Sequence, residues 1–215
     1  MTPTTTRRPR RDAARTHQLI VEAARQVFGE SGVEASMEQI AARAGVGIGT
    51  VYRRFPSKDS LIDELVQLVT DELVGEGERA LALDDGAGLE IFLRAIGRSL
   101  AEHRRWAGLL LARSKRGEFR AGVIRDQIAA LFAGAQRAGT IGPGVELGDV
   151  MMLAWSMRGL IETCGDVAPE AWRRFLDIHL IALRSPGRLS VSPTVTPAQL
   201  AALPEHRQPA TATTR

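Results

Sequence analysis

The sequence is poor in the residues that most often carry chemistry. One cysteine, Cys164, stands among 215 residues; a disulfide within the chain and an all-cysteine metal site are therefore excluded, and a reducing compartment is expected. The four histidines, at 17, 103, 179 and 206, lie far apart and form neither an H-E-x-x-H pattern nor another metal-ligand spacing. The acidic pairs Asp71-Glu72 and Asp84-Asp85 read as exposed helix and loop charge. No catalytic constellation emerges, and no cofactor or metal is expected. Long apolar runs are missing too: the richest, VMMLAWSM at 150–157, stops at Arg158, far short of the roughly 20 residues that span a bilayer. The opening MTPTTTRRPRRDAAR has arginines with no apolar segment behind them, so no secretory signal is expected and the chain reads as a soluble cytoplasmic protein. No stretch alternates as a strand would, which leaves an all-α fold.

What is present is an uneven charge. Residues 1–58 carry ten Lys or Arg against five Asp or Glu, while the rest of the chain is slightly acidic. A positive end on a near-neutral body fits contact with a polyanion through that end alone. Residues 1–11, of Thr, Pro and Arg, read as a disordered basic arm. From Asp12 the pattern turns helical, with Ile20, Ala23, Val27 and Phe28 on one stripe that closes at Gly29 and Gly32. Ser36-Met-Glu-Gln39 is a capping box opening a second, short helix that ends at Gly45. A third runs from about Gly47 to Phe55, and Ser57 caps a long fourth from Lys58 to about Leu83. Later helices are expected at about 87–104, 106–115, 118–138, 146–165 and 168–184, about nine in all. After Ser185 the Pro, Ser, Thr and Ala content predicts a tail, 186–215, that is disordered or loosely draped on the body.

The glycines of AGVGIGTVYRRF, at 45, 47 and 49, pose a choice. A nucleotide-binding glycine loop follows a strand and leads into a helix whose amides hold phosphate. Here a helix precedes it, and no Gly-Lys-Ser/Thr end follows. A short helix, a turn containing Gly and a second short helix instead make a helix-turn-helix, whose second helix enters the major groove of DNA. Gly45 supplies the left-handed residue that ends the first of the pair, and Val46 turns inward to pin the two together. Thr50, Tyr52, Arg53 and Arg54 can then donate to phosphates or base edges, with Gly47 and Gly49 letting the backbone come close.

The stretch from Ile20 to Leu65, above all MEQIAARAGVGIGTVYRRFPSKDSLIDEL, resembles the DNA-binding domain of TetR-type transcriptional regulators. Phe28 and Gly32, Ile40-Ala41, Ala44-Gly45-Val46, Gly49-Thr50-Val51-Tyr52, Phe55 and Ser57-Lys58 carry the resemblance. It implies phosphate contacts at Ser36 and Lys58 and a groove-facing set of Gly49, Thr50, Tyr52, Arg53 and Arg54. Two positions depart from the family pattern: Gly47 stands where a capping Ser is usual, and Arg54 where a His is common. Arg7, Arg8, Arg10 and Arg11 of the arm either reach the neighbouring minor groove or are mere charge.

The resemblance further implies a helix-turn-helix domain at 12–57 and a regulatory and dimerisation domain at 58–185. Within the latter, a small-molecule pocket and a pair of last helices that join a second copy are expected. Phe92, Ile96, Trp106, Leu110, Phe132, Met151 and Trp155, with Met157, could line such a pocket or simply fill the core; Arg113, Arg158 or His103 could anchor a polar group. In the last helix, Ala171, Phe175, Ile178 and Ala182 form one stripe, with Trp172, Leu176, His179 and Leu183 beside it, and both suit a dimer face. The expected partners are thus a double-stranded DNA operator, a small-molecule effector and a second copy of the chain. The leading reading is a ligand-released repressor; an activator or unliganded global regulator with the same DNA-binding end, or an all-α small-molecule-binding protein, is the alternative.

Overall fold

The computed structural model describes residues 8–83, 85–106 and 115–185, together with 195 and 199. Among them are eight α-helices and no strand, as the all-α reading requires. They are α1 (Arg8–Ser31), α2 (Met37–Ala44), α3 (Ile48–Arg54), α4 (Lys58–Leu81), α5 (Gly88–Glu102), α6 (Lys115–Arg137), α7 (Leu147–Cys164) and α8 (Ala171–Arg184). The helix expected at 106–115 has only its ends in view: Trp106 lies in a turn and Lys115 already opens α6, and the residues between lie outside the described ones. Helix α1 starts at Arg8, one turn ahead of the expected Asp12. Of the tail, only Val195 and Gln199 are described, and Val195 packs on the body core where Gly148 leaves its backbone open.

The helix starts follow from local chemistry. Ser36 accepts from the Gln39 amide and Gln39 accepts from the Ser36 amide, closing the capping box read in the sequence; Ser57 and Ser60 do the same for α4. Glu146 and Asp149 form a third such box at α7.

Two separate cores result. The first gathers Ile20, Ala24, Val27 and Phe28 of α1, Ile40 of α2, Val51 and Phe55 around α3, and Leu61, Leu65 and Val69 of α4. The second gathers Phe92, Leu93 and Ile96 of α5, Leu131 and Phe132 of α6, Val150, Met151 and Met157 of α7, and Trp172, Leu176 and Leu180 of α8. Helix α4, about 36 Å long at the usual rise, belongs to both: its first three turns face the N-terminal core, while Leu73 and Ala80 face the body. The packing division thus falls inside α4, past its start at Lys58.

Close approach holds the body helices together. The Gln127 side chain of α6 lies flat on Gly77 of α4 and donates from Nε2 to the Val74 carbonyl at 2.9 Å. Gly97 of α5 receives the Trp172 ring of α8: a Cβ there would stand 2.3 Å from Cζ3. Gly97→Ala gains about 0.5–1 kcal/mol of helix propensity but forces an overpacking cost of about 1–3 kcal/mol. Net destabilisation is therefore expected as a lower urea midpoint, whereas Gly75→Ala on α4, where the nearest neighbour is 3.6 Å away, leaves the midpoint level or raises it. Equal midpoints for the two variants would contradict this packing.

Candidate nucleic-acid interface

The N-terminal core orients a short helix outward. Helix α2 ends at Gly45, whose φ of 67° and ψ of 30° lie in the left-handed region, where a Cβ would be strained. The Val46 amide then donates back to Ala41 at 3.1 Å, and its side chain packs on the core beneath the turn. Helix α3 begins at Gly47 with no side-chain cap, the consequence expected from the missing Ser. It buries Val51, and Phe55 just beyond it, and leaves Ile48, Gly49, Tyr52, Arg53 and Arg54 exposed, with Thr50 half-buried. The surface of α3 is therefore almost wholly available to a partner.

Its two arginines behave differently. Arg53 Nη2 donates to Thr50 Oγ1 at 2.9 Å, one turn back on the same helix, which braces the guanidinium along the exposed face. Arg54 Nη2 donates to the Ala13 carbonyl of α1 at 2.8 Å, so this residue, expected among the groove-facing set, is engaged with α1. Ser36 sits at the start of α2, and its hydroxyl serves the capping box. Lys58 opens α4 with its ammonium 6.0 Å from the Phe28 ring centre. The structure thus groups Gly47, Gly49, Thr50, Tyr52 and Arg53 on α3 and its turn, places Ser36 and Lys58 at the starts of the preceding and following helices, and ties the exposed Arg54 to α1. Ion pairs back the platform: Arg43 reaches Glu30 at 2.7 Å and Arg25 reaches Glu72 at 3.0 Å, tying α2 and α4 to α1.

Behind this platform, the turn after α5 joins the two cores. Trp106, read as a pocket residue, is instead 1% exposed inside the N-terminal core. The chain leaving α5 folds back toward α1, and that is where the indole finds its apolar cover. Arg105 donates to the Glu30 carbonyl at 2.9 Å, and Arg104 and Arg105 both reach Asp166 Oδ1, at 2.6 and 3.1 Å. Asp166 lies between α7 and α8, so its carboxylate clasps the last two helices to the joint. The hydrogen bond from Arg104 is the chief cause holding the Asp166 carboxyl below the ordinary range. Beside it, His103 Nδ1 donates to the Ser99 carbonyl at 2.9 Å and its ring meets Trp106 edge-on at 5.0 Å. Nothing in the sequence marked this turn, because its partners are remote in the chain.

The body residues divide as follows. Phe92, Ile96, Phe132 and Met151 are buried together in the second core, and Trp155 is half-buried on α7. Leu110 and Arg113 lie outside the described residues, and Arg158 is paired with Glu162. Of the residues expected on a dimer face, Trp172 and Leu176 point into their own chain's core at 2% and 0% exposure. Phe175, His179 and Leu183 are half-buried, and the open face of α8 carries Ile178 and Ile181, 53% and 64% exposed. A cleft of 330 Å³ lies between the ends of α5 and α7 and the start of α8, lined by Ala101, Ile161, Pro169 and Trp172 with Arg98 and Arg104 at its polar side.

Comparison with known proteins agrees with this geometry. The family model described as "Bacterial regulatory proteins, tetR family" matches residues 20–65. An HTH-type transcriptional regulator of Staphylococcus aureus (strain USA300) is 44% identical over 59 residues, 27% of this chain and 32% of that protein; the match thus spans about a third of the length of the curated relatives. The crystal structure of the TetR transcription regulatory protein from Mycobacterium vanbaalenii is 31% identical, covering 73% of this chain and 96% of that one, with a TM-score of 0.55. The structure of SmeT, the repressor of the Stenotrophomonas maltophilia multidrug efflux pump SmeDEF, is 23% identical, covering 84% of this chain and 96% of that one at a TM-score of 0.60, and shares the fold.

Burial holds the His103 pKa below its ordinary 6.5. The unfolded chain therefore takes up the proton first, and the contribution of neutral His103 to stability is present above about pH 6.5 and is lost as the pH falls below it. On going from about pH 7.5 to about pH 5.5, the wild-type melting temperature should drop further than that of His103→Gln. Parallel drops would show that the joint does not sense this proton.

Proposed function

We propose that this chain, which belongs to the TetR family of bacterial transcriptional regulators, is a cytoplasmic, ligand-responsive repressor that binds a palindromic operator as a homodimer and leaves it when a small apolar or aromatic effector binds. The observation that carries this reading is the exposed face of α3. Five of its seven residues, Ile48, Gly49, Tyr52, Arg53 and Arg54, are open to solvent on the positive end of the molecule.

A helix of this size fits the major groove. Gly49 keeps the helix slim where it meets the bases. Tyr52 offers a hydroxyl to a phosphate, and Arg53, already braced by Thr50, offers a fork that suits guanine or phosphate. Ser36 and Lys58 flank it as phosphate contacts.

Dimerisation would use the apolar face left open on α7 and α8: Met152 and Trp155 on one, Phe175, Ile178 and Ile181 on the other. Two copies joined there about a two-fold axis make a four-helix bundle and present two α3 helices to half-sites about one DNA turn, roughly 34 Å, or a multiple of it apart. The effector would act through the joint. In the cleft beside Trp172 it would displace Arg104, one half of the Asp166 clasp, and favour a dimer state whose α3 helices no longer match the operator.

Binding to the chain's own promoter region, followed by anisotropy at physiological salt, tests the reading. Tyr52→Ala and Arg53→Ala should each weaken binding by about 1–3 kcal/mol, roughly 5- to 150-fold, with the dimer intact by sedimentation. The pair Ile178→Glu and Ile181→Glu should yield a folded monomer that loses the promoter. Unchanged promoter affinity in both α3 variants would sink the repressor reading.

A further inference from the structure

We infer that Arg54 is a positioning residue: it contributes to operator binding by holding the first turns of α1 against the end of α3, which delivers the basic N-terminal segment to the same duplex. This rests on the DNA-binding reading above.

Arg54 is exposed at the last turn of α3, yet its guanidinium is committed to a carbonyl 41 residues away in sequence. Ala13, which it holds, lies in the second turn of α1. One turn further on, the His17 ring stacks on Phe55 at 5.3 Å between centroids, and His17 Nε2 meets Glu64 Oε1 of α4 at 3.1 Å. The start of α1 is thus fastened at three points to the corner where α3 passes into α4.

That fastening answers a local problem. Helix α1 begins with Arg8, Arg10 and Arg11 in its first turn, has no acid there, and sets Asp12 and Arg15 in the next, four cations against one anion. Cations so close to one another, at the end of a helix where the amides are already positive, disfavour helix and invite fraying. A hydrogen bond from Arg54 to Ala13 holds the backbone in place without adding an anion that would cancel the charge. The segment therefore keeps the net positive charge of its sequence. An arginine is suited to this: its long side chain reaches from α3 across to α1 and ends in a fork of donors. A histidine at this position would be shorter and would lose its charge near neutrality.

A direct base reader and a positioning residue give different signatures. The experiment follows anisotropy of a promoter fragment against salt for wild type, Arg54→Ala, Arg54→Lys, a protein with Arg7, Arg8, Arg10 and Arg11 all replaced by Gln, and that protein carrying Arg54→Ala as well. Melting curves confirm that each is folded. Arg54→Ala in the otherwise wild-type chain should lower affinity roughly tenfold and flatten the plot of log affinity against log salt by about two units, as losing two phosphate contacts does. The preference for each operator base should stay as it was. Arg54→Lys, which can still donate to Ala13, should recover most of the loss. In the Gln-substituted background Arg54→Ala should change little. Two results would overturn the inference alone: an equal loss in both backgrounds, or a relaxed preference confined to one base pair. A wild-type chain with no preference for its promoter fragment would overturn the regulator reading, and this inference with it.

Discussion

The burial of Trp106 in a core to which its own helix does not belong is the constraint on which the rest of the molecule depends. The indole follows α5, a body helix, yet it sits with Phe28, Ile40 and Leu65 in the N-terminal core. Removing a tryptophan from such surroundings costs about 3–5 kcal/mol in core substitutions. The N-terminal unit therefore cannot swing freely on the body: any rotation must carry the 103–106 turn with it. Helix α4 imposes the same limit from the other side, since one rigid helix supplies side chains to both cores. The two units have distinct interiors and are still tied to one another, as the proposed ligand response requires.

Around that anchor, charge gives direction more than stability. Asp166 is exposed and shared by Arg104 and Arg105, so its pairs are screened by solvent. Their value is geometric: Arg105 touches the end of α1 through the Glu30 carbonyl and touches the α7–α8 connection through Asp166. A shift of the last two helices then has a short polar path to the first. Helix α3 follows the same economy. Thr50 partners Arg53 and the α1 backbone engages Arg54, so each guanidinium is held by a neighbour within the chain; under the proposed DNA contact, Arg53 has less rotamer freedom left to lose.

Much of this was legible in the sequence wherever the determining interactions are local. The capping box at Ser36, the cap at Ser57, the left-handed glycine at 45 and the apolar stripe from Ile20 to Phe28 are encoded within a few residues, and the structure has them at those positions. What escaped was set by contacts between distant segments. Nothing near Arg54 announces Ala13 as its partner, so the residue read as one more groove donor. Trp106 stands where a further body helix, 106–115, is expected to start and fits a body pocket equally well by pattern; only the fold-back of the chain assigns it to the other core. Helix α8 has two apolar stripes, and a single-chain pattern cannot say which faces inward. The fold gives Trp172, Leu176 and Leu180 to the core and leaves Ile178 and Ile181 outside. The early start of α1 at Arg8 was hidden because a run of arginines with a proline resembles a disordered arm by composition, while tertiary fastening overrides that tendency.

Calorimetry of Trp106→Ala tests the coupling most directly. The wild-type chain should unfold in one cooperative transition, because neither core can open without disturbing the shared helix and the planted indole. The variant should show two resolved transitions, the lower one belonging to the N-terminal unit, with the body's transition near its original temperature. A variant that still unfolds in one transition at the wild-type temperature would contradict the claim that Trp106 couples the two units.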